Sequence, residues 1–406
     1  MLFDRREFLV GTAAAGLAAA TAGEPAAAAA ASGTVTLPME NGTRPLVAFP
    51  QKRPLIMLAP RPPLLETPFR IFDQGVLTPN DAFFVRWHLA GIPTSVDGAA
   101  HRIRVHGRVK RALSLSVEDL RTKFEPVSIV AVNQCSGNSR GLFAPRVPGG
   151  EWDNGAMGNA RWTGVRLTDV LAKAGLDAGV RQIRFHGLER PVLPTTPPFV
   201  KALSMDDVFD NGNMIIAYEM NGEPLPLLNG YPVRLIVPGW FATYWMKMLS
   251  DIEAIDTVDD NFWMKTAYRI PDTPGNTVKP TDTGYPTTPI NRMAVRSFVT
   301  NVADGGTLHA GAQTIRGIAF DGGSGIKAVD VSIDGGATWR TARLGEDYGK
   351  YSFRRWESDL RAERGKRYVL ACRAHANSGE TQTTLPVWNP GGYLRNVIET
   401  YRVTVA

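Results

Sequence analysis

One short segment of this chain has the residue types and spacing of a chemical site: Val132-Asn-Gln-Cys-Ser-Gly-Asn-Ser-Arg140. Residues Val127 to Val132 are apolar and mostly β-branched, the pattern of a buried strand, and they hand directly to Asn133, Gln134 and Cys135. A thiol leaving such a strand for a Gly/Asn/Ser loop, with Arg140 five residues on, has the setting of a thiolate. Cationic side chains and backbone N–H groups in the loop stabilise the anion and lower the thiol pKa. By composition alone, a buried and inert cysteine is the commoner reading. The other cysteine, Cys372, lies on the apparent inward face of a strand with Tyr368 and Leu370 and reads as core. There is no CxxC, no CxxCH for covalent haem, no Cys/His cluster with zinc spacing, and no HExxH among the six His.

The elements that must position this loop are legible in outline. Residues 102–109 alternate as a half-buried strand, and Ser116-Val-Glu-Asp119 is a capping box opening a short helix to about Phe124. Leu167 to Ala174 is a second helix, closed by Gly175, and Val233 to Val237 is a buried strand stopped by Pro238-Gly239. Residues 32–100 are Pro-rich and read as irregular, and 271–289, with five prolines, reads as an extended connector. Beyond it come short alternating strands, Thr314–Phe320, Ala328–Ile333, Trp339–Leu344, Tyr368–Ala374 and Glu399–Val405, separated by Gly-rich turns. The pattern predicts an α+β domain over 32–287 followed by an immunoglobulin-like β-sandwich over 288–406.

Composition narrows the class. Across 406 residues, 44% hydrophobic and 21% charged content is ordinary for a globular chain with a sizeable core. The formal charge of +6 suits an anionic substrate, but no Lys/Arg run is interleaved with aromatics, so nucleic acid is not an expected partner. The chain opens Asp4-Arg5-Arg6-Glu7-Phe8-Leu9, then a small-residue apolar stretch and an Ala tract to about Ala31. Twin arginines before Phe-Leu resemble the twin-arginine export signal, and the stretch is too poor in Leu and too broken by Gly for a membrane span. The expectation is a folded, cofactor-loaded protein exported to the periplasm, with 1–31 removed and no membrane span in the mature chain.

The Cys135 segment resembles the sulfite oxidase family of molybdenum enzymes, whose segment reads Cys-Ala/Ser-Gly-Asn-x-Arg. The likeness recurs in order along roughly residues 80–390. Phe84-Val-Arg-Trp-His88 is similar to Phe-Val-Arg-Asn-His, and Trp152-Asp153 with Gly158-Asn159-Ala160 follows. Ala217-Tyr-Glu-Met-Asn-Gly222 is a nearly verbatim family motif. Tyr231-Pro-Val-Arg-Leu-Ile-Val-Pro-Gly239 with Lys247, and Asp334-Gly-Gly-x-x-Trp339, complete the series.

The resemblance implies that Cys135 is the single protein ligand to molybdenum, the other sulfurs coming from a pterin dithiolene without nucleotide extension. A ligating thiolate cannot also sit in a disulfide. Arg86, His88, Arg140, Trp152 and Tyr268 are implied at the substrate site. Phe84, Arg86, His88, Cys135, Ser136, Glu189, Asn229, Arg234 and Lys247 are implied around the cofactor, Arg234 and Lys247 on the pterin and its phosphate. Two departures stand out. Asn229-Gly-Tyr-Pro232 replaces His-Gly-Phe-Pro, and Trp388-Asn-Pro-Gly-Gly392 replaces Trp-Asn-Leu-Arg-Gly, so an arginine that reaches the substrate pocket is missing at Gly391.

The implied activity is oxidation of sulfite to sulfate. With no haem motif in the chain, the implied acceptor is a separate periplasmic c-type cytochrome, and the C-terminal domain implies a homodimer. The nearest alternative is an exported molybdopterin reductase of oxidised methionine or another S- or N-oxide, a group that usually lacks the C-terminal β domain. A non-catalytic periplasmic binding protein is the alternative from another class, and metal analysis separates it from both.

Overall fold

The computed structural model describes residues 33–406; the twin-arginine segment lies outside them. Strand dominates. The α-helices among the described residues are Val117–Lys123, Leu167–Ala174, Met205–Asn211 and Phe262–Lys265, all short. None is long and apolar enough to cross a membrane. Two follow the sequence closely. Ser116 caps Val117–Lys123 in a reciprocal box, its Oγ accepting from the Asp119 N–H at 3.0 Å while Asp119 accepts from the Ser116 N–H at 2.9 Å. Leu167, Val170, Leu171 and Ala174 form the buried stripe of the second helix, and Gly175 (φ 69°) ends it.

The strand that delivers Cys135 is Pro126–Gln134. Exposure alternates over its first residues, but Val130 through Gln134 are all buried, so the strand runs from the surface into the interior. It pairs antiparallel with Met157–Arg166, which pairs with Ile215–Met220, which in turn pairs with Arg234–Ile236. One sheet therefore carries Cys135 and Arg234. A second sheet, in the order Val200–Ser204, Gln182–Gly187, Leu249–Ile255, Ile103–Gly107 and Leu113–Leu115, flanks it.

Residues 34–86, read from sequence as irregular, instead form a five-stranded meander: Thr34–Thr36, Thr43–Phe49, Lys52–Pro60, Pro63–Glu66 and Val85–Arg86. The prolines are tolerated because they fall where a ladder N–H is not required. Pro54 sits in a register shift, and Pro60 and Pro63 close a strand end. The 271–289 segment is likewise no extended connector. Arg269–Pro271 pairs with Thr287–Pro289, closing the stretch between them into a loop.

In the C-terminal region, a sheet of four strands and one of five share a core built from Val299, Ile315, Trp356, Val331, Leu370, Cys372 and Val403. The strands expected there are present with shifted ends, except that Trp339–Leu344 is split into Arg340–Thr341 and Arg343–Leu344, which pair in different sheets. Arg354–Ala362, which sequence reading did not single out, lies centrally in the four-stranded sheet. That sheet also turns Phe298, Ile318 and Phe320 into the core of the preceding domain. The edge of the Cys135 strand is reached from the same side, where the Val132 N–H donates to the Tyr351 carbonyl at 2.9 Å.

Candidate active site

Cys135 is 6% exposed, one residue past its strand. The ladder continues to it, since its N–H donates to the Ala156 carbonyl at 2.9 Å. The loop then turns tightly. Asn138 N–H donates to the Cys135 carbonyl at 3.0 Å, and Ser139 takes a left-handed backbone (φ 70°). An added Cβ at Gly137 would lie 2.5 Å from the Arg140 guanidinium, so a side chain there would displace that arginine. The side-chain amides of Asn138 and Asn154, with Ser139 Oγ, tie the loop to the 153–156 segment. Both cysteines are free thiols.

In front of Cys135 lies a pocket. Phe84, Arg86 and His88 line one side, Cys135, Ser136 and Asn133 another, and Asn229, Arg234, Lys247 and Tyr268 the rest. Nine residues expected from the sequence resemblance thus converge on one cavity. The other three stand differently. Glu189 lies behind the wall, its Oε2 accepting from the His88 and Leu89 N–H groups at 3.1 and 2.9 Å. Trp152 is buried in the core behind the Cys135 loop, where its carbonyl accepts from the Gly141 N–H. Arg140 turns to the C-terminal strap, donating from Nε and Nη2 to the Gly391 carbonyl at 3.1 and 2.9 Å.

Five buried polar atoms of residues lining this cavity have no hydrogen-bond partner within the protein: Arg86 Nη1, Asn133 Nδ2, Ser136 Oγ, Arg234 Nε and Thr243 Oγ1. Each would cost about 1–3 kcal/mol if left unpaired, so a ligand that accepts hydrogen bonds is expected here. Most of these atoms are donors, and Lys247 adds a cation. The residues therefore fit an electron-rich ligand carrying an anionic group, as molybdopterin does with its phosphate and dithiolene. Among the described residues, no three His, Cys, Asp or Glu side chains gather around a metal position. A metal at Cys135 would draw its remaining sulfur ligands from such a cofactor.

Burial sets the electrostatics. It lowers the Lys247 pKa to about 8, against the pull of Glu189, and that of Arg234 to about 9. Burial also works against the Arg86 charge, but Tyr268, Cys135, Glu189 and Tyr393 together hold its pKa above the ordinary value. His88 is driven well below its ordinary value by burial and then by Arg86, Lys247 and Lys201, so the imidazole is neutral. Its 3.8 Å contact from Nδ1 to Glu189 is accordingly not an ion pair. With the proton on Nδ1, facing that carboxylate, Nε2 accepts from the Tyr268 hydroxyl at 2.7 Å. Phe199 stacks on the imidazole at 3.5 Å between centroids and fixes its plane.

Several participants were not found from sequence. Lys52 is buried and donates to the Asn80 and Phe83 carbonyls and to Asn229 Oδ1. Burial lowers its pKa to about 7. Asn229 passes the contact on, its amide donating to the Phe84 carbonyl at 3.1 Å. Trp87 holds Lys247 4.5 Å from its ring and donates to the Leu228 carbonyl. Lys201 donates to the Trp263 carbonyl and lies 5.2 Å from the Tyr268 ring. Asn133 and Thr243 line the cavity. Lys52 and Lys201 stand in strands with no flanking motif and gave no signal, whereas Trp87 was visible as an odd residue inside a recognised motif.

Comparison with known proteins agrees with this geometry. Residues 89–263 match the family model described as the oxidoreductase molybdopterin binding domain, and residues 287–406 match the Mo-co oxidoreductase dimerisation domain. The chain is 33% identical over 370 residues to the sulfite oxidase of Gallus gallus, covering 86% of this chain and 78% of that protein. It is 34% identical over 363 residues to the mitochondrial sulfite oxidase of Macaca fascicularis, covering 85% of this chain but 65% of that one. The chain thus spans about two thirds of the length of that relative. Among solved structures, the sulfane dehydrogenase SoxCD from Paracoccus pantotrophus superposes with a TM-score of 0.71 at 25% identity over 85% of both chains. With two family models lying end to end along it and a thiol facing a cavity of unpartnered donors, the chain belongs to the sulfite oxidase family of molybdopterin oxidoreductases, with molybdenum as its metal.

Proposed function

We propose that this protein oxidises sulfite to sulfate in the periplasm, after export in folded form by the twin-arginine pathway. It passes electrons singly to a separate c-type cytochrome. The observation that carries the reading is the convergence of Cys135, the unpartnered Arg86 Nη1 and the Tyr268 hydroxyl on one buried cavity.

When bound, the molybdenum cofactor supplies two-electron chemistry with oxygen transfer that no side chain here can supply. The chain does the rest. Cys135 provides the thiolate ligand, and Arg234 and Lys247 hold the pterin and its phosphate as charge-assisted donors. Arg86, its Nη1 buried without a protein partner, meets the substrate anion where its charge is little screened. Tyr268 presents a hydroxyl whose proton is shared with His88 Nε2, giving a defined place for a proton to rest as substrate charge changes. The C-terminal sandwich, which we read as immunoglobulin-like, joins two copies into a homodimer.

The test is elemental analysis combined with a sulfite assay, using ferricyanide and then a c-type cytochrome as acceptor, on protein exported by its own leader. Sulfite-dependent reduction of both acceptors supports the proposal. Molybdenum-replete protein inert to sulfite but active toward another sulfur compound or an S-oxide would replace the substrate assignment while leaving the cofactor intact.

A further inference from the structure

The strap 388–394 of the C-terminal region runs against Tyr268, whose side chain lines the cavity. Asn389, fully buried, clamps the Tyr393 backbone from both sides, accepting from its N–H at 3.1 Å and donating to its carbonyl at 2.9 Å. Trp388 anchors the strap to the Pro145 carbonyl at 2.8 Å. So held, the Tyr393 ring stacks on Tyr268 at 5.8 Å between centroids and 15° between planes. Arg140 hydrogen-bonds the Tyr393 hydroxyl, its guanidinium 5.2 Å from the Tyr393 centroid and tied to the Gly391 carbonyl.

The two glycines are shaped around these side chains. A Cβ at Gly391 would stand 2.4 Å from Tyr393 Cε2, and one at Gly392 (φ 61°) would stand 2.7 Å from Arg140 Cγ. No side chain can occupy position 391 while Tyr393 keeps its place. The missing arginine and the present tyrosine are therefore one structural choice.

Resting on the sulfur-oxyanion reading above, we propose that Tyr393 is a substrate-binding residue of this site, donating its hydroxyl to the bound oxyanion beside Tyr268, and that Arg140 positions Tyr393 instead of meeting the anion itself. The anion is then held by the Arg86 guanidinium and by the neutral Tyr393 phenol from the C-terminal region, the Tyr268 proton being engaged by His88 Nε2. Such a site grips a tetrahedral or pyramidal sulfur oxyanion through directional hydrogen bonds more than through summed charge, so its affinity is modest and only weakly sensitive to salt.

The test uses the holoenzyme and two readouts, steady-state sulfite kinetics and equilibrium sulfate binding by calorimetry. Tyr393→Phe keeps the stack and removes the hydroxyl; the loss of a hydrogen bond to an anion should raise the sulfite KM and the sulfate Kd together by about tenfold, with kcat changed less than about twofold. Gly391→Ala should push the ring away and give a similar loss. Combined with Tyr393→Ala it should add almost nothing, because the clash has gone. Sulfate Kd and sulfite KM both unchanged in Tyr393→Phe would overturn the assignment, as would a Gly391→Ala effect that adds fully to Tyr393→Ala. Wild-type enzyme that binds sulfate but does not oxidise sulfite would instead break the functional reading, with the sulfate arm still deciding Tyr393.

Discussion

The two cysteines lie in regions that differ in everything except burial. Cys372 sits on a strand between apolar neighbours in the C-terminal core, fully inaccessible, and burial pushes its thiol pKa up to about 12. Cys135 is almost as buried, but it leaves its strand into a loop whose amides are spoken for by the 153–156 segment and whose cavity side is ringed by donors without partners. Inaccessibility therefore does not separate a structural thiol from a ligand. What separates them is whether the surrounding polar atoms are already satisfied.

The sharpest way to break this comparison is to change both thiols. Cys135→Ser should fold with an unchanged far-ultraviolet circular dichroism spectrum and lose at least about 100-fold in sulfite turnover, beyond the usual cost of disturbing a metal's outer shell. Cys372→Ala, by contrast, should leave kcat within about twofold and lower the unfolding free energy by about 1 kcal/mol, as deletion of a small buried group does. Equal loss of turnover in the two variants would erase the distinction.

Arg296 links the two regions and should rank next. It is 2% exposed, donating to Ser139 Oγ at 2.9 Å, to Asn154 Oδ1 at 3.3 Å and to Glu399 Oε1 at 3.1 Å. Arg296→Ala should cost about 1–3 kcal/mol, because it removes a buried donor from Ser139, Asn154 and Glu399, although Glu399 keeps Arg395. The same change should loosen the Cys135 loop, read as faster amide exchange at Asn138 and Ser139 than at Leu370 and Cys372. Exchange rising equally at all four would mean a general loss of stability with no special link to the loop.

Of similar size is the contribution of Arg86. Arg86→Gln should lower kcat/KM for sulfite roughly 10- to 150-fold, the range for loss of one charge-assisted contact of about 1.5–3 kcal/mol. The KM for the electron acceptor should stay unchanged in the same assay. A defect confined to the acceptor would place Arg86 at the wrong face.

The smallest expected effect is a pH slope. Burial lowers Lys52 from its ordinary value to about 7, so from pH 7 to about 10 the unfolded chain binds a proton at this residue that the folded chain does not. Stability therefore rises with pH across that window, by at most about 1.4 kcal/mol per pH unit for one group. Glu66, raised to about 8 by burial and by Asp153, acts oppositely below pH 8. Lys201 and Lys247, lowered by burial to about 7 and 8, add slopes of the same sign as Lys52. The difference between variant and wild type over pH 8–10 is therefore what isolates Lys52. Urea unfolding at pH 8 and pH 10 should show a smaller gain for Lys52→Met than for the wild type. An equal gain would mean that Lys52 keeps its ordinary proton in the fold.

What could be read from sequence follows from how local each signal is. The Cys135 strand and loop, the two capped helices and the alternating strands after residue 311 are written in contiguous residues, and their physics is local. Arg354–Ala362 also alternates, with Trp356, Ser358, Leu360 and Ala362 buried, but its dense charges hide the period. The meander from residue 34 was obscured because prolines signal loops unless register shifts are known, and those depend on the partner strand. The site was legible where motifs marked it. Lys52, Lys201 and the Tyr393 stack arise from contacts across 62 to 177 residues of chain, so no window of sequence shows them. Arg140 is the instructive case: its motif implied a place at the substrate site, and a carbonyl about 250 residues away turns it to the strap instead.

The central claim is that Cys135 and its ring of unpartnered donors form a molybdenum cofactor site. Inductively coupled plasma mass spectrometry on purified wild-type protein and on Cys135→Ser, with the released pterin quantified in parallel, tests it most directly. The account predicts about one molybdenum and one pterin without nucleotide per wild-type chain, and a marked fall in molybdenum in the variant. Stoichiometric iron or zinc in place of molybdenum, or full molybdenum retention without Cys135, would contradict it.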